Sequence, residues 1–229
     1  MSDIADNPLY QGYAAARGAI LTGASKRIPA ASAASQARAL GLWDGKNPAV
    51  ATEAQLALLL DLGVFDPVGG HSRALDREAR MNPPPPGSEA ALVLDALHHT
   101  RITLFRVAGP HPQGGVWIDD LLRDQQVHLW DAGLAREGFV GVGFGGRLMP
   151  MGDFEMTCGV LAPLLDSAID LLLGYPLPPT PIPATMPPLT PPPPEDIAIL
   201  REKAAQPEFL VKLYKAALQS GAMGAIPER

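Results

Sequence analysis

Cysteine is nearly absent: Cys158 is the only one in 229 residues. No intramolecular disulfide can form, and no cysteine-based zinc site can be assembled. The expectation for Cys158 is a small buried core thiol. Charge is also scarce, at 18% of residues, and none of it is a basic surplus. Divided after Leu97 and after Cys158, the three parts carry 8 basic and 10 acidic, 5 and 7, and 5 and 7 groups, so each is −2. Non-specific phosphate binding needs the opposite balance, although a fold can still gather Arg73, Arg77 and Arg80 on one face. Met1–Tyr10 has no basic stretch followed by an apolar one, so it does not read as a signal peptide. The most apolar stretch, Val160–Leu173, contains Asp166 and Asp170 and is too short and charged to span a bilayer. The expectation is a cytoplasmic, bacterial-style protein with no membrane contact.

What is plentiful is proline (25) and glycine (23), both unevenly placed. Four prolines are Pro83–Pro86, and eleven fall in Pro176–Pro194. A single uniform fold is therefore excluded. The first segment has helical signals. Pro8–Leu21 carries Leu9, Tyr13, Ala16 and Ile20 at three- and four-residue spacing. Ala31–Leu40 stops at Gly41. Thr52 and Gln55 form a capping box opening Glu53–Leu62, with Gly63 expected to end it. Ser72 and Ser88 are expected caps for Arg73–Met81 and Glu89–His98, the latter with Leu92, Leu94 and Leu97 turned inward.

At Thr100 the period becomes alternating. Arg101–Val107, Val116–Leu121, Gln126–Asp131, Phe139–Met149 and Asp153–Thr157 read as five short strands with tight turns, which predicts a small curled sheet or SH3-like barrel. Alternate glycines at Gly141, Gly143 and Gly145 fit a bent strand or a close backbone approach. Leu164–Leu173 reads as a helix capping the barrel. Tyr175–Pro194 is expected to be an extended polyproline spacer. Glu195–Gln206 and Glu208–Ser220 are expected as helices, with Leu210, Leu213, Tyr214 and Leu218 on one apolar face. The fold class is thus α+β: a helical region (1–99), a barrel with its capping helix (100–174), a proline-rich linker (175–194) and a C-terminal helical arm (195–229).

Formal motifs carry little chemistry. Gly141–Gly146 satisfies G-x-G-x-x-G, but Pro150 and Gly152 follow and no helix can start there to receive a pyrophosphate, so no cofactor is assigned. The adjacent His98 and His99 diverge on a helix end, and neither spacing nor residue type demands a metal. Together with His128 and Cys158 they supply the residues of an alternative enzyme or metal-protein reading. Asp119, Asp120 and Asp124 surround a turn and lack the closing glutamate of an EF-hand loop. Pro178–Pro181 and Pro188–Pro191 are P-x-x-P segments with no basic neighbour, more suited to a spacer than to a docking motif. Trp117 and Trp130 belong to neighbouring strands. They form either core or an outer aromatic platform, and with Arg101, Arg106 and Arg123 that platform would suit a nucleic-acid or ribosome-associated barrel.

Glu89–Leu97, Phe105–Val107, Asp119–Leu122, Asp131–Leu134 and Phe154–Gly159, with Leu40–Asp44 upstream, make the stretch Ser88–Pro163 resemble uncharacterised bacterial proteins, some of which end in a SEC-C-type zinc ribbon. That ribbon is missing here, since the tail has no cysteine. The resemblance implies a fold and no activity. The leading expectation is a non-enzymatic binding or regulatory protein that meets a protein partner, or a second copy of itself, through the C-terminal arm.

Overall fold

The computed structural model describes residues 4–136, 138–177 and 185–223. The segment Pro178–Pro181 lies outside them. After a 3-10 turn at Ile4–Asp6 come α1 (Pro8–Ser25), α2 (Ala30–Leu40), α3 (Glu53–Phe65), α4 (Ala74–Met81) and α5 (Glu89–His98). The strands follow: β1 (Arg101–Pro110), β2 (Val116–Asp120), β3 (Gln125–Trp130), β4 (Gly143–Pro150) and β5 (Glu155–Leu164). Three helices close the chain, α6 (Asp166–Leu173), α7 (Pro194–Ala204) and α8 (Phe209–Gln219). The α+β expectation with a five-stranded barrel is borne out.

Local signals explain most boundaries. The Asn7 side chain accepts from the amides of Leu9 and Tyr10 at the start of α1, and Thr52 accepts from Gln55 N at 3.1 Å to open α3. Ser88 does the same for Ala91 in α5, and Gly41, at φ 80°, closes α2. Three details differ from the sequence reading. Gly63 does not end α3; it admits the side chain of Ile28, which a Cβ there would meet at 2.7 Å. Ser72 does not cap α4; its hydroxyl accepts from Arg77 and Arg80 instead. On α5, Leu92 faces solvent rather than inward.

The strands close in the order β1-β2-β3-β5-β4, with β4 pairing back onto β1. Every pair is antiparallel except β3 with β5, which run parallel. β5 reaches Leu164, beyond the Thr157 expected from the sequence. Alternation puts Phe105, Val107, Val116, Ile118, Leu129 and Phe144 inside the barrel, where Phe105 and Phe144 meet at 5.9 Å between ring centres.

The C-terminal part corrects an expectation. Its helices are present, but they are not held away from the barrel. Leu189 is 2% exposed and its amide donates to Gly141 O at 2.8 Å. Thr190 N and Oγ1 both donate to the Asp166 carboxylate, at 2.9 and 2.7 Å. Residues 185–193 therefore lie as a strap across β4 and the start of α6. The alternate glycines make this possible: a Cβ on Gly143 would come within 2.6 Å of Leu189, and one on Gly145 within 2.9 Å of both Leu104 and Leu213. The close approach read from Gly141–Gly145 is real, and its partner is the chain's own tail.

A buried ion pair fastens α8. Arg147 on β4 donates from Nε to Asp61 at 3.1 Å and from a terminal nitrogen to Asp66 at 2.6 Å, both on or beside α3. Tyr214 donates its hydroxyl to the same Asp61 oxygen at 2.9 Å. One guanidinium and one carboxylate thus join three elements. Burial pushes the Tyr214 phenol well up, and the nearby Asp61 charge adds to it.

Candidate functional site

The outer face of β2 and β3 carries the aromatic cluster. Trp117 pairs across the ladder with His128, and Trp130 lies two residues further along the same face of β3. The β1–β2 loop adds His111. Gly114 and Gly115, at φ 93° and 75°, fold this loop back; a Cβ on Gly115 would strike the Leu129 carbonyl at 2.4 Å, so only glycine fits. The β4–β5 turn adds Asp153 and Phe154. His111 stacks on His128 at 3.4 Å and 14°, Trp117 meets the edge of His111 at 4.3 Å, and Trp130 stacks on Phe154 at 3.7 Å and 16°. These rings, with Gln113, Gln125, Gln126 and Glu155, line an open groove of about 490 Å³, within the usual range for ligand sites.

Hydrogen bonds fix the histidine tautomers. The Gln113 amide donates to His111 Nδ1 at 3.1 Å, so neutral His111 carries its proton on Nε2. His128 Nε2 lies 2.8 Å from the Gly114 carbonyl, which only accepts, so Nε2 carries a proton and donates it there. Burial, and then the neighbouring His128, hold His111 below the ordinary histidine range. Among the described residues, two buried side-chain polar atoms have no hydrogen-bond partner, Trp130 Nε1 and Glu155 Oε2, and both residues line this groove.

The sequence candidates separate into those brought here and those not. Trp117 is half-buried and Trp130 is 8% exposed; they share the outer face, each beside His128. The arginines do not join them as free cations. Arg101 is held by Asp120 at 2.5 Å and Glu155 at 2.7 Å, Arg106 by Asp119 at 3.0 Å, and Arg123 by Asp120 at 3.4 Å. The face of α8 is also closed: Leu210, Leu213, Tyr214 and Leu218 are at most 1% exposed, which corrects their expected role in reaching a partner.

The alternative enzyme or metal set is dispersed. His98 Nδ1 faces Arg73 at 2.9 Å and Asp76 at 3.4 Å, exposed His99 faces Asp95, and Cys158 is buried, its thiol pushed far up by burial. Among the described residues no group of three or more His, Cys, Asp or Glu side chains is placed to hold a metal ion. The sequence reading missed His111 and Phe154. The Pro-His-Pro turn hid the first, because its ring direction depends on the two left-handed glycines.

Residues 24–173 match the model of a family of unknown function, DUF7986. The chain belongs to DUF7986. No curated protein and no solved structure matches it. The DUF7986 segment covers α2 through α6 and the whole barrel, including the groove, and ends before the strap and α7–α8. No described helix is long and apolar enough to cross a membrane.

Proposed function

We propose that this DUF7986 protein is a binding protein whose ligand site is the aromatic–histidine groove of the barrel. The carrying observation is the coincidence of ring cluster, groove and the two unpartnered polar atoms at one place. Connectivity supports the same place. A simple run of neighbouring strands, as in the SH3-like form expected from sequence, would put β4 beside β3; here β5 lies there, parallel, and β4 closes on β1. We read this as a five-stranded Greek-key barrel of the OB type. Such barrels bind ligands on the β2–β3 face between the β1–β2 and β4–β5 loops. His111 and Gln113 come from the first loop, Trp117, His128 and Trp130 from the two strands, and Asp153 and Phe154 from the second loop. This is an argument from fold analogy joined to local chemistry.

The reading moves recognition from the C-terminal helices to the barrel, because the apolar side of α8 is internal. It also weakens the nucleic-acid alternative, since the groove is lined by no lysine or arginine. A single buried thiol suits a reducing compartment, so we place the protein in the cytoplasm. A fragment screen by ligand-observed NMR tests the site. Hits are expected to lose binding on Trp117→Ala and on Phe154→Ala. Hits that survive both substitutions would place ligand binding elsewhere.

A further inference from the structure

We propose that the cleft between the barrel and α7 is a second ligand site, independent of the aromatic groove, and that it takes a small phosphate monoester with an apolar body. Three arginines border this cleft of about 490 Å³: Arg101 at the start of β1, Arg123 in the β2–β3 turn and Arg201 near the end of α7. Ile102, Leu122 and two alanines of α7 complete the wall, and no carboxylate lines it. In a chain of net charge −6 this is a local reversal of sign. The guanidiniums are anchored from behind. Arg201 Nε donates to Leu122 O at 2.7 Å, the carbonyl of the residue just before Arg123, so the two side chains border the same stretch of cleft. Arg123 Nη1 is shared between Ile102 O and Asp120, at 3.4 Å each. Among the described residues, both terminal nitrogens of Arg201, and Nε and Nη2 of Arg123, have no protein partner.

The nearby acids do not cancel the site. Arg101 is taken up by Asp120 and Glu155. The Asp120 side chain is fully buried and also accepts from the amides of Leu122 and Arg123. Three guanidiniums against two carboxylates leave one positive charge over, and the free donors belong to Arg123 and Arg201. The C-terminal turn of α7 opposes an anion, but the Ala205 amide occupies the Arg201 and Lys203 carbonyls there. Each arginine fork matches two phosphate oxygens. A monoester offers three terminal oxygens and nearly two charges, enough to engage both forks; a carboxylate offers two oxygens and one charge. A neutral ligand brings no charge to the guanidiniums, and a cation is repelled. Ile102, Leu122 and the alanines give an apolar body surface to cover, which a bare phosphate lacks.

The experiment is a calorimetric titration of the full chain, at about pH 7.5 where a phosphate monoester is mostly dianionic, with phenyl phosphate, benzoate, inorganic phosphate and benzyl alcohol. Phenyl phosphate is expected to bind most tightly, and to weaken several-fold as salt rises from about 0.05 to 0.5 M. Arg201→Gln and Arg123→Gln, both at exposed positions, should each weaken it about tenfold. Arg201→Lys keeps the charge without the fork and should restore only part of the loss. Lys46→Gln removes an exposed cation outside the cleft wall and should change the affinity less than about twofold. No binding of phenyl phosphate at millimolar concentration, or binding that ignores both arginine→glutamine substitutions, overturns the site. Benzoate or benzyl alcohol binding as tightly as phenyl phosphate overturns the phosphate assignment, and inorganic phosphate doing so overturns the apolar body. None of these results bears on the aromatic groove, which is tested by Trp117→Ala and Phe154→Ala.

Discussion

Leu189 stands where a side chain on Gly143 would stand. A Cβ on that glycine would lie 2.6 Å from Leu189 Cδ2 and 3.0 Å from its Cβ. Gly143 has no left-handed backbone, so the constraint is steric alone. Gly143→Ala is expected to cost about 1–3 kcal/mol by overpacking, and Leu189→Ala about 2–5 kcal/mol by leaving a cavity. Because the two residues share one contact, the double variant should be less destabilised than the sum of the singles. Urea unfolding of the three variants checks this. Additive losses would mean the strap does not rest on β4.

The Asp61 carboxylate receives both Arg147 Nε–H and the Tyr214 hydroxyl. Tyr214→Phe removes one donor and should cost about 1–3 kcal/mol. Arg147→Met leaves Asp61 buried without its cation and should cost about 3–5 kcal/mol. Thermal unfolding should rank the two in that order. Tyr214→Phe is also expected to loosen the C-terminus, seen as earlier proteolytic loss of α7–α8.

Two histidines make stability fall in mild acid. His111 is held low by burial and by His128, and His98 by burial and by Arg73. Their folded-state values lie below the unfolded value of about 6.5. As pH falls through that value the unfolded chain binds protons that the folded chain refuses. The stability present above about pH 6.5 is therefore lost progressively down to the folded-state values. The melting temperature should drop between about pH 7.5 and 5.5, and the drop should shrink in the His111→Gln, His98→Gln double variant.

Cys158 is 2% exposed and its thiol is pushed far up by burial, with Asp61 adding to the effect. It should not react with a thiol-specific disulfide reagent in the native protein, and should react fully in denaturant. Rapid native labelling would contradict its placement.

The legible parts of this chain were those written in local chemistry. Thr52, Ser88 and Gly41 announce helix ends because capping acts over three or four residues. Val127 and Leu129 against His128 and Trp130 announce β3 because side chains alternate along a strand. The glycines at 141, 143 and 145 announced a close approach but not what approaches, because Leu189 arrives from a remote point in the chain. A proline-rich stretch favours extension in itself; the bonds from Thr190 to Asp166 and from Leu189 to Gly141 that hold residues 185–193 down depend on tertiary structure. The groove was half legible for the same reason. Trp117 and Trp130 were visible as a pair, whereas His111 and Phe154 reach them only through loops. The three arginines looked available because Asp119, Asp120 and Glu155 could not be paired with them by sequence alone.

The most direct measurement is the set of indole Nε1–H chemical shifts during a ligand titration. The chain has three tryptophans, and Trp43 lies apart from the groove, under the Arg38 guanidinium at 4.0 Å. A groove-binding ligand should move the Trp117 and Trp130 signals together, with the unpartnered Trp130 proton shifting as it gains an acceptor, while Trp43 stays still. A bound ligand that moves Trp43, or leaves both groove indoles unchanged, would contradict the assignment of this face as the binding site.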